Sequence, residues 1–242
     1  MLKIRQLKKS ESFIGLSMIS RIVGFIIFLV AKVNSKISSK LQLAGDVANY
    51  SDWLKLHFGN PKRFFNRERL FGYLVDNKLG NDVIVFEFGV AKGYLTRWVL
   101  HRDRTHRITT WHGFDTFEGL PESWRNYQPG AFSNNGKAPS IDDLRITWHI
   151  GFAEERIKEI NLDSLTKQPL LLIFDLDLEQ PTREIIQYMI RSIKPGDLIY
   201  FDEAFDFGER QVIMDYVIPK FELEVLGTTP LAILFRVANI LG

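Results

Sequence analysis

From position 82 onward, short apolar runs alternate with longer stretches whose apolar residues recur at helical spacing. Residues 83–87, 108–113, 146–150, 170–174, 198–201, 221–226 and 231–237 are rich in β-branched and aromatic side chains and predict strands. Between them, residues 94–100, 154–160, 182–193 and 209–219 predict helices. Such alternation predicts an α/β fold with a doubly wound, mostly parallel sheet of seven strands. Only Gly227 to Pro230 separates the last two strands, which predicts a closing antiparallel hairpin. Ahead of the sheet, Asn60 and Pro61 read as the N-cap and first position of a helix. Phe64, Phe65, Phe71, Leu74 and Val75 would share one face of it, with Gly80 closing it. Residues 42–59 are mixed in pattern and read as a linking helix or loop.

The first strand runs into Glu87-Phe88-Gly89-Val90-Ala91-Lys92-Gly93 and then a helix. Glycines at such a turn let a ligand approach bare backbone, and the following helix N-terminus favours a nucleotide-type ligand. The spacing is neither the dinucleotide fingerprint nor a P-loop, because Ala91 stands in place of a middle glycine. In a sheet of this kind ligands sit beyond the carboxyl ends of the strands. Asp115 ends the second run and is placed to accept hydrogen bonds from a ribose diol, a duty NAD sites share. The third run ends in Gly151 and Phe152. The fourth ends in Asp175 and Asp177, the fifth in Asp202 and Glu203. An unpaired carboxylate at the end of so apolar a strand costs several kcal/mol. A shared cation explains two neighbouring acidic strand ends, and hard oxygen donors suit Mg²⁺. Asp177 reads as an acid outside that set, ordering the loop. The five histidines show no metal-ligand spacing and read as structural, with His112 nearest the Asp115 segment.

The 242 residues suit one α/β domain plus an appendage, here residues 61–242 and 1–60. The absence of cysteine excludes thiolate nucleophiles and thiolate metal sites, and it fits a reducing, cytoplasmic setting. A net charge of +2 gives no ground for nucleic-acid binding. Basic residues nevertheless crowd the first 40 positions, where Glu11 is the one acid. Residues 12–33 are apolar nearly all round, apart from a stripe of Ser17, Ser20, Arg21 and Gly24. Three readings stay open for that segment: a helix packed on the domain or on a second copy in a homo-oligomer, an in-plane peripheral membrane helix, and a span. Arg21 handicaps the span by about 3 kcal/mol.

The segment GFDTFEGLPE at 113–122 closely resembles the macrocin O-methyltransferase (TylF-like) family of class I S-adenosylmethionine-dependent methyltransferases, as does EFGVAKG at 87–93. The resemblance covers roughly residues 79–237. It implies a Rossmann-like fold and transfer of a methyl group to a hydroxyl of a sugar or glycosylated small molecule, with a divalent cation assisting. It implies S-adenosylmethionine contacts from Glu87, Gly89, Ala91, Gly93, Asp115, Thr116, Phe117, Gly151 and Phe152. It also implies a Mg²⁺ site of Asp175, Asp202 and Glu203, with Asp175 as the catalytic base. Glu203 departs from the family's second aspartate. The turn-rich stretch 129–139 reads as part of a lid. Two rival readings stay open: a scaffold that binds S-adenosylmethionine without turnover, and an NAD-dependent oxidoreductase. The second is disfavoured by the missing dinucleotide fingerprint and the lack of a Tyr-x-x-x-Lys pair.

Overall fold

The computed structural model describes Val23, Ile26, residues 35–165 and residues 167–241. The chain divides into two compact units, residues 1–45 and 46–242. The readings of the stripe and of residues 12–33 lie outside the described residues, apart from Val23 and Ile26. Among the described residues no helix is long and apolar enough to cross a membrane.

In the larger unit, seven strands form one sheet: β1 (Val83–Phe88), β2 (Ile108–Asp115), β3 (Ile146–Ile150), β4 (Leu170–Phe174), β5 (Leu198–Phe201), β6 (Phe221–Thr228) and β7 (Ile233–Ile240). Their order is β3-β2-β1-β4-β5-β7-β6. The first five are parallel, whereas β7 pairs antiparallel with both β5 and β6. The predicted architecture therefore holds, and three predicted strands match to the residue.

Helices cover both faces: α1 (Ser35–Phe58), α2 (Arg67–Asn77), α3 (Tyr94–Arg102), α4 (Ala153–Arg156), α5 (Glu179–Met189) and α6 (Phe207–Val212). Because side chains alternate along a strand, β1 sends Ile84, Phe86 and Phe88 to one face and Val83 and Val85 to the other. The first face packs with Tyr50, Trp53 and Leu54 of α1 and with Ile185, Ile186 and Met189 of α5. The second packs with Leu70, Phe71 and Leu74 of α2 and with Leu95 and Val99 of α3. The Tyr50 hydroxyl also bonds to Thr228 Oγ1 (2.7 Å) and donates to Ala232 O (2.8 Å). These contacts carry the compact unit back to Asp46, upstream of the expected boundary at 60.

The helix expected from Asn60 begins instead at Arg67, capped by Asn66, whose side chain accepts from Arg69 N at 3.1 Å. Residues 62–64 are drawn to the sheet, where Phe64 N donates to Thr228 O and Thr228 N to Lys62 O. Phe65 is consequently exposed rather than on the apolar face, and the helix ends at Asn77, short of Gly80. Residues 42–58 are helical, as one of the two alternatives held.

One row of side chains sets the register of everything functional. Phe114, Phe88, Phe174 and Phe201 stand side by side near the carboxyl ends of β2, β1, β4 and β5, all fully buried. Adjacent rings lie 5.0–5.1 Å apart. Each ring contributes roughly 1.5–3 kcal/mol by burial, and ring pairs add about 0.5–1.5 kcal/mol. The residues that follow are Asp115, Gly89, Asp175 and Asp202. Gly89 N donates to Phe114 O, Asp175 N to Phe88 O and Asp202 N to Phe174 O, at 2.8–3.0 Å. The apolar row thus delivers the chemical residues to a single edge.

Candidate active site

Gly89 could not be another residue. Its φ is +87°, and a Cβ built on it would lie 1.8 Å from the Asp175 carbonyl oxygen. The bare backbone lets the end of β1 abut the end of β4. Ala91 also adopts a left-handed conformation (φ 49°), and Gly93 (φ 69°) precedes α3 as its N-cap. Asp115 holds this turn in shape. Its Oδ2 accepts from Val90 N (2.8 Å) and Ala91 N (2.7 Å), and its Oδ1 from Phe117 N (2.7 Å). Each carboxylate oxygen has two acceptor sites, so bracing the turn leaves capacity for a further donor.

Around that brace, Thr116 Oγ1 accepts from Glu118 N (3.1 Å), and Phe117 is fully buried with its ring edge against Trp148. Gly151 N donates to Asp115 O (3.0 Å), and Phe152 beside it is 47% exposed, so its ring is not core. Glu87 is buried. Its Oε2 accepts from Thr96 Oγ1 (2.5 Å) and Trp111 Nε1 (2.9 Å), tying β1 to α3 and β2. Burial raises its carboxyl to about 7 against the lowering effect of those two bonds.

At the other side of the edge, carboxylate oxygens of Asp175, Asp177 and Glu203 all lie within 4.8 Å of one another. Asp177 joins them because its backbone turns left-handed (φ 63°) straight after β4. Asp202 faces differently: its Oδ1 accepts from the Tyr200 hydroxyl and its Oδ2 from Arg67 Nη1 (3.4 Å). The same Arg67 nitrogen donates to Asp175 Oδ2 at 3.1 Å. The sequence reading did not single out Arg67, and no motif marks it; it reaches the edge because α2 starts there.

The acids outnumber their cations. Glu209 is also buried, and its Oε2 accepts from Glu203 N (2.8 Å). Burial and then the Asp202 charge raise the carboxyls of Asp175, Glu203 and Glu209 well above the usual range; Arg67 pulls Asp175 partly back. Asp177 rises to about 7, again by burial first and the Asp202 charge second. Glu203 Oε2 is buried with no hydrogen-bond partner. A buried carboxylate oxygen left unsatisfied costs several kcal/mol, and a hard divalent cation among these three side chains would satisfy it. The donor set therefore fits Mg²⁺: Asp177 stands with Asp175 and Glu203 in it, while the Asp202 oxygens accept from Tyr200 and Arg67.

The pairing of β2 with β3 also unites two of the histidines. His112 Nδ1 lies 3.0 Å from His149 Nε2, and burial lowers His112 to about 4. His149 stacks on Phe114 (4.3 Å), so the pair belongs to the packing of the edge strand.

No protein-family model matches the chain, and no curated protein matches it in sequence. Solved structures do match in fold. CalS11, described as a calicheamicin methyltransferase, is 18% identical over 84% of this chain and 93% of its own, with a TM-score of 0.53. The O-methyltransferase NovP is 16% identical over 72% of this chain and 80% of its own, with a TM-score of 0.47. The chain has the Rossmann-like fold of the class I methyltransferases.

Proposed function

We propose that the protein is an S-adenosylmethionine-dependent O-methyltransferase acting on a hydroxyl of a sugar or glycosylated small molecule. One observation carries the reading. A glycine turn braced by Asp115 and a converging carboxylate trio share one sheet edge, one strand apart, so a cofactor and an acceptor would meet there. The sugar class rests on the likeness of residues 113–122 to the macrocin O-methyltransferases; CalS11, which shares the fold, is described as a calicheamicin methyltransferase.

S-adenosylmethionine would supply a methyl group already activated on a sulfonium. Catalysis then asks the chain for alignment and for removal of the acceptor's proton. Asp115 fixes the turn at 89–93, whose backbone would receive the methionine end, and its remaining acceptor site on Oδ1 would receive a ribose hydroxyl. Phe152, exposed beside Gly151, offers a ring face to the adenine. Asp175, Asp177 and Glu203 would hold the divalent cation, which supplies a lowered pKa for a bound hydroxyl. Asp175, with Asp177 beside it, would take the proton. Arg67 bridges Asp175 and Asp202, donating to an oxygen of each.

The test is transfer of a labelled methyl group from S-adenosylmethionine to a panel of free sugars, glycosides and sugar nucleotides, in Mg²⁺ and in EDTA. Transfer to at least one glycosidic hydroxyl, weakened by EDTA and by Asp175→Asn, is expected. Transfer to none of them, by a protein that binds the cofactor, would favour the scaffold reading.

A further inference from the structure

The loop between β2 and β3 does not stay over the strands that it joins. It leaves β2 at the Asp115 brace, and two of its amides, Asn134 N and Gly136 N, return to Phe117 O (2.9 and 2.8 Å). Its tail lies on the glycine turn: Pro139 and Ile141 come within 3.0 Å of where a Gly93 Cβ would stand. Its tip is a tight reversal in which Trp124 N donates to Tyr127 O and Tyr127 N to Trp124 O (3.1 and 2.8 Å), with the two rings stacked.

Arg125 sits in that reversal with φ 51°, a left-handed conformation that an arginine adopts only when its surroundings hold it there. What holds it is a fork. Nη1 donates to Asp46 Oδ2 (2.9 Å), Nη2 donates to Asp206 Oδ2 (2.6 Å), and the guanidinium lies 4.5 Å from the Phe205 ring centroid. Only 18% of the Arg125 side chain is exposed, so the pairs are partly shielded from water. Asp206 is no distant anchor: its N donates to Glu203 O (2.7 Å), and its Oδ1 caps α6 through Gly208 N. The loop starts beside β2 and is fastened beyond β5. It therefore crosses three strand intervals, roughly 14 Å, from the end of β2 past the turn at 89–93 to the far side of the acidic trio.

We infer that Arg125 is a positioning residue, a latch that fastens the 116–141 loop across the site and sets how readily a cofactor-sized ligand leaves it. This rests on the reading that the 89–93 turn binds S-adenosylmethionine. Neither Asp46 nor Asp206 belongs to the carboxylate trio, so the latch can open without disturbing the acids. Two donors in a rigid planar fork reach two acids, one within α1 and one capping α6, a task that a single ammonium cannot reproduce.

The test compares wild type, Arg125→Ala and Arg125→Lys by amide hydrogen exchange, and by the dissociation rate of S-adenosylhomocysteine in stopped flow. With Arg125→Ala, exchange in residues 118–136 should rise about tenfold or more, as loss of two charge-assisted bonds implies, while amides of β4 and β5 stay protected. S-adenosylhomocysteine should leave several-fold faster, and Arg125→Lys should restore part of both effects. A uniform rise including β4 and β5, unchanged loop exchange, or an unchanged dissociation rate would each overturn the latch. Failure of the wild type to bind S-adenosylhomocysteine would overturn the cofactor reading and, with it, ligand control. The exchange pattern would still decide whether Arg125 fastens the loop.

Discussion

Replacing Glu87 by glutamine should make the protein more stable at pH 8 and much less so at pH 5. Glutamine keeps the volume, and its carbonyl can still accept from Thr96 and Trp111; only the ionisable proton is lost. In the folded protein the Glu87 carboxyl titrates at about 7, against 4.5 for the unreacted side chain. Because the folded value is the higher, the group's contribution to stability is complete below 4.5. It is lost as pH rises from there towards 7, and above 7 the loss is constant. The full loss is about 3 kcal/mol. By pH 5 wild type has given up roughly 0.8 kcal/mol of it and by pH 8 nearly all, so the advantage of Glu87→Gln should grow by about 2.5 kcal/mol between them. For a domain of this size that is a relative gain of roughly 5–10 °C in melting temperature. Parallel urea titrations at half-unit pH steps measure it, and taking the difference between the two proteins removes the other acids. A difference that ignores pH, or one that favours wild type as pH rises, would refute the burial assigned to Glu87.

Other consequences can be checked in the same preparations. Asp115→Asn leaves an amide NH₂ facing at least one backbone N–H of the turn, so S-adenosylhomocysteine affinity should fall about tenfold or more with the far-ultraviolet circular dichroism unchanged. Gly89→Ala forces a Cβ onto the Asp175 carbonyl and should cost about 3 kcal/mol or more, read by urea unfolding. Mg²⁺ should raise the melting temperature of wild type at pH 8, and less at pH 5.5, where Asp177 holds its proton. Glu203→Gln should abolish that rise.

Where local pattern and tertiary demand agreed, the sequence was sufficient. The β4 and β5 runs are apolar on both faces because helices cover both, and their ends at Phe174 and Phe201 were readable as the points where acids begin. Elsewhere a distant partner decided the outcome. Asn60-Pro61 is a sound helix start by local chemistry, but the Phe64 amide is claimed by Thr228, and the start moves to Asn66. The same shift carries Arg67 to the acids. Asp177 read as an acid that orders the loop outside the ligand set; its left-handed backbone accompanies its place beside Asp175 and Glu203, and no residue type announced that turn. Asp115 is at the predicted place with a further duty, since three amides of its own chain occupy it. Arg125 gave no motif signal because its two partners lie far from it in sequence.

Calorimetric titration with S-adenosylhomocysteine, with NAD as the control, decides whether the Asp115-braced turn is an S-adenosylmethionine site. Micromolar binding of S-adenosylhomocysteine, none of NAD, and loss of the signal in Asp115→Ala are the predicted results. Binding of NAD instead, or of neither compound in Mg²⁺ and in EDTA, would contradict that assignment.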